Sequence, residues 1–281
     1  MTSAPPEALF VLSATAQYIG ATIAVNLFDE VDPASVAWFR VIGASIALVL
    51  VSAPKLRRRF TRAEWTAVAI FGIATALMNT FFYLAIDRIP LGKSVTIEFI
   101  GPIVVAAVRT RTRRNAAALA IAVVGVAVLS GVEIGGEPLG ILFLMLASVM
   151  WATYIVVGSR VAQQSHGVAG LGVGLAIGAL VIAPIGAPGS GEVWASPRLL
   201  LLCFLVGVMS NAIGYGIDQA VLRRIPIRRF SVLLALLPVV AVIAGFIALD
   251  QRPTAIDYIG MVLVLVGVVV QERDELPITE T

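Results

Sequence analysis

Two charged side chains sit inside stretches that are otherwise apolar. Glu98 lies in VTIEFIGPIVV (Val95–Val105), and Arg40 lies in VAWFRVIGAS (Val36–Ser45). A carboxylate complements an ammonium and a guanidinium complements a carboxylate, so together they match the two ends of a zwitterion. An ionisable side chain at bilayer depth is costly, and it marks a partner, a cavity or a proton route. At 1.5 Å per residue, Glu98 is roughly 15 Å from Arg109 at the end of its run, near the middle of the hydrocarbon. Arg40 is roughly 10 Å past Pro33 by the same measure. It can extend outward to the interface as an anchor. Buried, it needs either Glu98 or an anionic substrate group as partner.

Pro102 follows Glu98 by four residues. Proline has no N–H, so it cannot bond the carbonyl of residue 98, and the run is expected to kink on the turn that carries the acid. Irregular backbone at membrane depth is tolerated where it is buried in protein or lines a watery cavity. Milder polar residues punctuate the other runs: Gln17, Asn26, Thr96 and Asn211, and the expected substrate or proton contacts Asn79, Tyr83, Trp151, Tyr154 and Tyr215. Several fall in the third, fourth, sixth and eighth runs, which places a wet cavity between those runs.

Enzymatic chemistry finds little to work with. The single histidine, His166, lies in a polar connection, and the single cysteine, Cys203, lies in an apolar run. There is no HExxH pattern and no pair of intramembrane aspartates. The reading is therefore not an enzyme, with no metal and no cofactor.

The elements that must position these residues follow from composition. Of 281 residues, 59% are hydrophobic and 13% charged, against about 45–50% and about 25% in soluble domains. Apolar runs fall at roughly 8–28, 34–53, 65–86, 92–108, 116–132, 138–158, 167–187, 198–219, 227–248 and 255–271. At about 20 residues per span, the expected fold is an all-α polytopic membrane protein of ten transmembrane helices. The first run is read as a retained span rather than a cleaved signal. Gly170, Gly174 and Gly178 recur every fourth residue, a spacing that lets helices approach closely.

Fifteen of the twenty lysines and arginines fall on alternate connections: Lys55, Arg57, Arg58, Arg59 and Arg62; Arg109, Arg111, Arg113 and Arg114; Arg160; Arg223, Arg224, Arg228 and Arg229; and Arg273. The other side holds Arg88, Lys93, Arg198 and Arg252. The positive-inside rule then puts both termini in the cytoplasm. Asp218, close to Arg223 and Arg224, is expected to form a local salt bridge at the cytoplasmic mouth. The arginine clusters are topology signals, and nucleic acid is not implied.

An internal repeat organises the whole. IPLGKSVTIEFIGPIVVAAV and IPIRRFSVLLALLPVVAVIA are offset by 136 residues, pairing Pro102 with Pro238 and Glu98 with Leu234. Five spans per half is odd, so the second copy enters the membrane the opposite way round. The expected units are 1–137 and 138–281, an inverted five-plus-five repeat with its site between the halves near midplane. Both halves keep the proline kink, and only the first keeps the acid.

The layout, with MNTFFYLAIDRIPLG running into VTIEFIGPI, WATYIVVGSR and ALLPVVAVIAG, resembles the EamA branch of the drug/metabolite transporter superfamily, and within it exporters of threonine/homoserine type. That resemblance covers essentially the whole chain. It implies a ten-helix carrier of the bacterial inner membrane that exports amino acids or related metabolites with the proton gradient. It also implies functional positions at Arg40, Glu98 and Asp218. One departure is Ala248-Leu249-Asp250, where many superfamily members have Leu-Gly-Glu. The leading expectation is proton antiport of a small zwitterion, with lipid as the other partner and the oligomeric state open. The alternative is export of cationic or amphipathic drugs with Glu98 as counter-ion. A passive channel fits less well, because a lone acid beside a basic residue suits a binding site better than a charge ring.

Overall fold

The computed structural model describes residues 4–53, 60–89, 91–129, 137–164, 167–237, 239–240 and 254–270. Pro90, Pro238, His166, Glu133, Asp250, Lys55, Arg57, Arg58, Arg59, Arg252 and Arg273 lie outside the described residues. The described residues are helical, with no strand among them. The first half holds α1 (Pro6–Leu27), α2 (Pro33–Ser52), α3 (Arg62–Ile86), α4 (Leu91–Glu98), α5 (Ile100–Arg109) and α6 (Arg113–Leu129). The second holds α7 (Pro138–Ala162), α8 (Gly167–Gly186), the short α9 (Gly191–Ala195), α10 (Pro197–Gly207), a π-helix (Val208–Tyr215), α11 (Gly216–Leu222), α12 (Ile227–Leu233) and α13 (Ala255–Val270). Among the described residues six helical segments are long and apolar enough to cross a bilayer: α1, α2, α3, α7, α8 and the continuous Pro197–Leu222.

The helix starts follow capping chemistry. Proline occupies the first position of α1, α2, α7 and α10, where its missing N–H costs nothing. Asp32 accepts from the N–H groups of Ala34 and Ser35 to cap α2, and Thr61 with Glu64 forms a reciprocal capping box on α3.

Two families of contact define the ends of the bundle. At one end Arg114 Nε donates to the Val270 carbonyl at 2.7 Å, and Arg229 pairs with Glu7 at 2.6 Å. At the other, Arg198 pairs with Glu30 at 2.9 Å and Ser35 Oγ donates to the Gly186 carbonyl at 2.7 Å. The first is the arginine-rich end. The second carries the loops after α1, α3 and α8.

The glycine stripe packs α8 onto α3. A Cβ on Gly174 would stand 2.7 Å from the Val68 carbonyl oxygen and 3.2 Å from the Gly72 Cα. A Cβ on Gly72 would overlap the backbone of Gly174. Helices this close gain dispersion contact along their whole seam, and only glycine permits it. Gly174→Ala is therefore expected to destabilise the protein by about 1–3 kcal/mol, the usual cost of overpacking. Gly191→Ala, with nothing within 4 Å of the added carbon, should leave stability unchanged. Thermal unfolding in detergent compares the two, and equal midpoints would refute the packing role.

Gly101-Pro102 has two separable causes. The fourth run is broken: α4 ends at Glu98, Phe99 is a turn, and α5 begins at Ile100. The break falls where Pro102 leaves the Glu98 carbonyl without its helical donor. Gly101 faces α7, and a Cβ there would collide with the Ser148 carbonyl oxygen. Proline ends the helix, and glycine lets the broken end lie against its neighbour.

Candidate functional site

Glu98, Arg40, Asn79, Tyr83, Trp151, Tyr154, Tyr215 and Asp218 all line one cavity. They arrive from α2, α3, α4, α7, the π-helix and α11, and α1 adds Gln17, Tyr18, Ala21 and Val25. The cavity encloses about 840 Å³ between atoms, counting the part open to solvent. Its lining reaches Val25 and Ile86, next to the loops after α1 and α3. The arginine-rich end is closed by the Arg229–Glu7 pair, by an Arg224 Nη1 bond to the Ala4 carbonyl at 2.7 Å, and by the edge-on rings of Phe10 and Phe230 at 5.8 Å.

Arg40 is buried at 6% exposure and does not extend to an interface. Its Nε donates to Asn211 Oδ1 at 2.5 Å and its Nη1 to the Tyr83 hydroxyl at 2.8 Å. The guanidinium carbon also lies 5.2 Å from the Tyr83 ring centre. Tyr83 is itself braced edge-on against Phe28 at 5.3 Å. A guanidinium has five N–H donors in a fixed fork, and among the described residues Nη2 makes no hydrogen bond, so donors remain for a carboxylate. The π-helix supplies Asn211. π-Helical segments are frequent at functional sites.

Glu98 is buried at 7% exposure. Among the described residues it accepts no hydrogen bond and forms no ion pair within 4 Å, Arg40 included. A buried carboxylate left this way is costly unless a ligand, water or proton satisfies it. Phe99, the turn residue beside it, meets Trp151 edge-on at 5.6 Å. Kink, acid and aromatic wall are thus one local structure.

Asn79 and Tyr215 join the two halves: the Tyr215 hydroxyl donates to Asn79 Oδ1 at 3.3 Å, while Asn79 Nδ2 bonds back to the Thr75 carbonyl at 2.6 Å. Asp218 departs from the expectation of a salt bridge with Arg223 or Arg224. It is buried at 2% exposure and accepts from Ser13 Oγ at 2.6 Å, Tyr154 OH at 3.3 Å and Gln17 Nε2 at 3.5 Å. The physical reason is helical phase. Asp218 shares the cavity face with Tyr215, one turn back, whereas Arg224 turns to the N-terminal end of α1.

Among the milder candidates Gln17 lines the cavity, whereas Asn26 is exposed and bonds back to the Thr22 carbonyl. Residues not singled out from sequence also reach the cavity, notably Tyr18 and Phe82. A signal existed: Tyr18 stands 136 residues before Tyr154, and Phe82 stands 136 before Asp218. Pro102 sits buried in α5, whereas its counterpart Pro238 is outside the described residues. No group of three or more metal-ligating side chains occurs among the described residues.

The sequence pattern of the EamA-like transporter family matches residues 138–271. The threonine/homoserine exporter RhtA of Salmonella typhimurium strain LT2 is 30% identical over 267 residues, covering 92% of this chain and 88% of its own. The protein of the same name from Escherichia coli K12 is 31% identical over 245 residues, covering 86% and 82%. The chain belongs to the EamA transporter family. A protein of known crystal structure, 18% identical, superposes on this EamA chain with a TM-score of 0.72 over 94% of it and 96% of its own length, a likeness of fold. The EamA pattern begins at Pro138, the first residue of α7, and runs past the end of α13.

Proposed function

We propose that this EamA protein is a secondary active exporter of small zwitterionic amino acids of the threonine and homoserine kind. One observation carries the reading: Arg40 and Glu98 share a cavity and leave each other unpaired. Arg40 takes the substrate carboxylate and Glu98 its ammonium. When no substrate is bound a proton can satisfy Glu98 instead, so acid and substrate compete for one group, which is the physical basis of antiport. The names of the RhtA relatives support the substrate class.

The architecture in this proposal is ten membrane helices in an inverted repeat, 1–137 and 138–281. Its support is the 136-residue offset. That offset carries α1, α2 and α3 onto α7, α8 and the continuous helix 197–222. Packing obeys the same exchange, since α3 lies against α7 and α8 while the helix 197–222 lies against α1 and α2. The bonded residues Asn79 and Tyr215 are themselves 136 apart. Charge bias supports cytoplasmic termini in a bacterial inner membrane. The cavity then faces outward, closed on the cytoplasmic side.

One feature favours a second reading. Six aromatic residues line the cavity: Tyr18, Phe82, Tyr83, Trp151, Tyr154 and Tyr215. Such a wall suits amphipathic cations. Arg40 argues against them, because a buried guanidinium in the same cavity repels a second cation. Counterflow in proteoliposomes decides. Threonine and homoserine should exchange with labelled threonine and quaternary ammonium compounds should not, and the reverse pattern would favour drug export.

A further inference from the structure

We propose that Asp218 is a second proton-binding site, separate from Glu98, and that its proton controls how firmly the arginine-rich end of the cavity is held shut. This rests on the antiport reading above and extends it. Asp218 collects donors from two helices other than its own: Ser13 and Gln17 on α1, and Tyr154 on α7. Because α1 belongs to the first half and α7 with α11 to the second, the carboxylate ties the halves together. One to two turns beyond it lie the Arg229–Glu7 pair and the Phe10–Phe230 contact that close that end.

The hydrogen-bond count shows room for one more proton. Ser13 Oγ has a single hydrogen, yet it lies 2.6 Å from Asp218 Oδ1 and 2.9 Å from the Gly214 carbonyl oxygen, and both are acceptors. Gln17 Nε2 already donates to Ser13 Oγ at 3.0 Å. A proton added to Asp218 Oδ1 would donate to Ser13 Oγ, and the Ser13 hydrogen would then serve Gly214. Every acceptor in the cluster is satisfied by that rearrangement. It converts charge-assisted bonds from α1 and α7 into neutral ones, which are roughly half as strong. The link between the halves is loosened.

The surroundings leave Asp218 as the group that takes the proton. On α1 the titratable residues are Glu7, which pairs with Arg229, and Tyr18. On α7 they are Tyr154, already a donor to Asp218, and the exposed Arg160. Within the π-helix Tyr215 donates to Asn79. From α12 come Arg228 and Arg229, and after α11 come Arg223 and Arg224. None of these arginines forms an ion pair with Asp218. No titratable side chain occurs on α8.

Glu98 differs in kind. Among the described residues it has no hydrogen-bond donor, and it faces the cavity with Arg40, as a substrate contact should. Asp218 is enclosed by its donors, so an ammonium would have to displace them. Protons need no such space, and the shared cavity gives them access from the end near Val25 and Ile86.

Hydrogen-exchange mass spectrometry of the full chain in lipid nanodiscs, without substrate and corrected for intrinsic exchange rates, tests the proposal. Acidification should lower protection of the amides around residues 8–18 and 216–224 by about tenfold or more, a local opening rather than global unfolding. Asp218→Asn should show the low protection at every pH with no step, Asp218→Glu should restore a step, and Glu98→Gln should keep it. A pH step that persists in Asp218→Asn, or one that disappears in Glu98→Gln, overturns the assignment. So does its absence from the wild-type protein. Because no substrate is present, a failure here is distinct from failure of the zwitterion reading, which threonine binding to the wild-type protein tests separately.

Discussion

Glu98→Gln should abolish saturable threonine transport at ordinary substrate concentrations. The substitution preserves shape and removes the one uncompensated anion that, among the described residues, the substrate ammonium can meet. Losing one partner of a buried, hydrogen-bonded charge pair costs about 2–5 kcal/mol, which corresponds to roughly 30- to 4,000-fold in affinity. Glu98 accepts no hydrogen bond from the described residues, so the variant should fold at least as well as the wild type. Protection against thermal unfolding by threonine separates the two effects, since the variant's own midpoint holds while the shift given by threonine disappears. A transport constant within about twofold of wild type would end the ammonium-binding role. A saturable transport that survives but no longer responds to a pH gradient would retain the site and move substrate binding away from Glu98.

Arg40→Ala should cost as much, and Arg40→Lys should not rescue it fully. Arg40 satisfies three demands at once: a bond to Asn211, a bond to Tyr83 and donors left over for a carboxylate. Lysine keeps the charge as a mobile point and lacks the rigid fork. Hydrogen bonds to charged groups contribute about 1.5–3 kcal/mol, so the lysine variant should bind roughly 10- to 100-fold more weakly. Decarboxylated threonine provides the decisive comparison. Wild-type protein should prefer the amino acid over the amine strongly, whereas Arg40→Ala should bind the two alike. Retained preference in that variant would mean that another group reads the carboxylate.

The sequence by itself carried the parts governed by local rules. The apolar runs place helices because each needs a fixed length to bury its backbone bonds, and the proline four residues after Glu98 marked a kink on the turn that carries the acid. The four-residue glycine spacing marked a close helix seam. The charges Arg40 and Glu98 were conspicuous because an apolar background makes any ionisable group costly, and that cost does not depend on tertiary detail.

Asp218 marks the limit. Its neighbours in sequence, Arg223 and Arg224, suggested a local ion pair, and its partners turned out to lie about two hundred residues away on α1 and sixty-four away on α7. Tyr18 was marked only by its 136-residue offset to Tyr154, since a tyrosine in a membrane helix carries no local mark of which face it shows. The direction of Arg40, toward the cavity or toward the interface, was undecided until Asn211 and Tyr83 were seen to hold it. Sequence determined which groups are expensive to place in a membrane and that the helix carrying Glu98 must bend. Tertiary structure alone decided which of them meet, because a side chain's partner depends on the rotation and pairing of helices, and those are set by packing summed over the whole bundle.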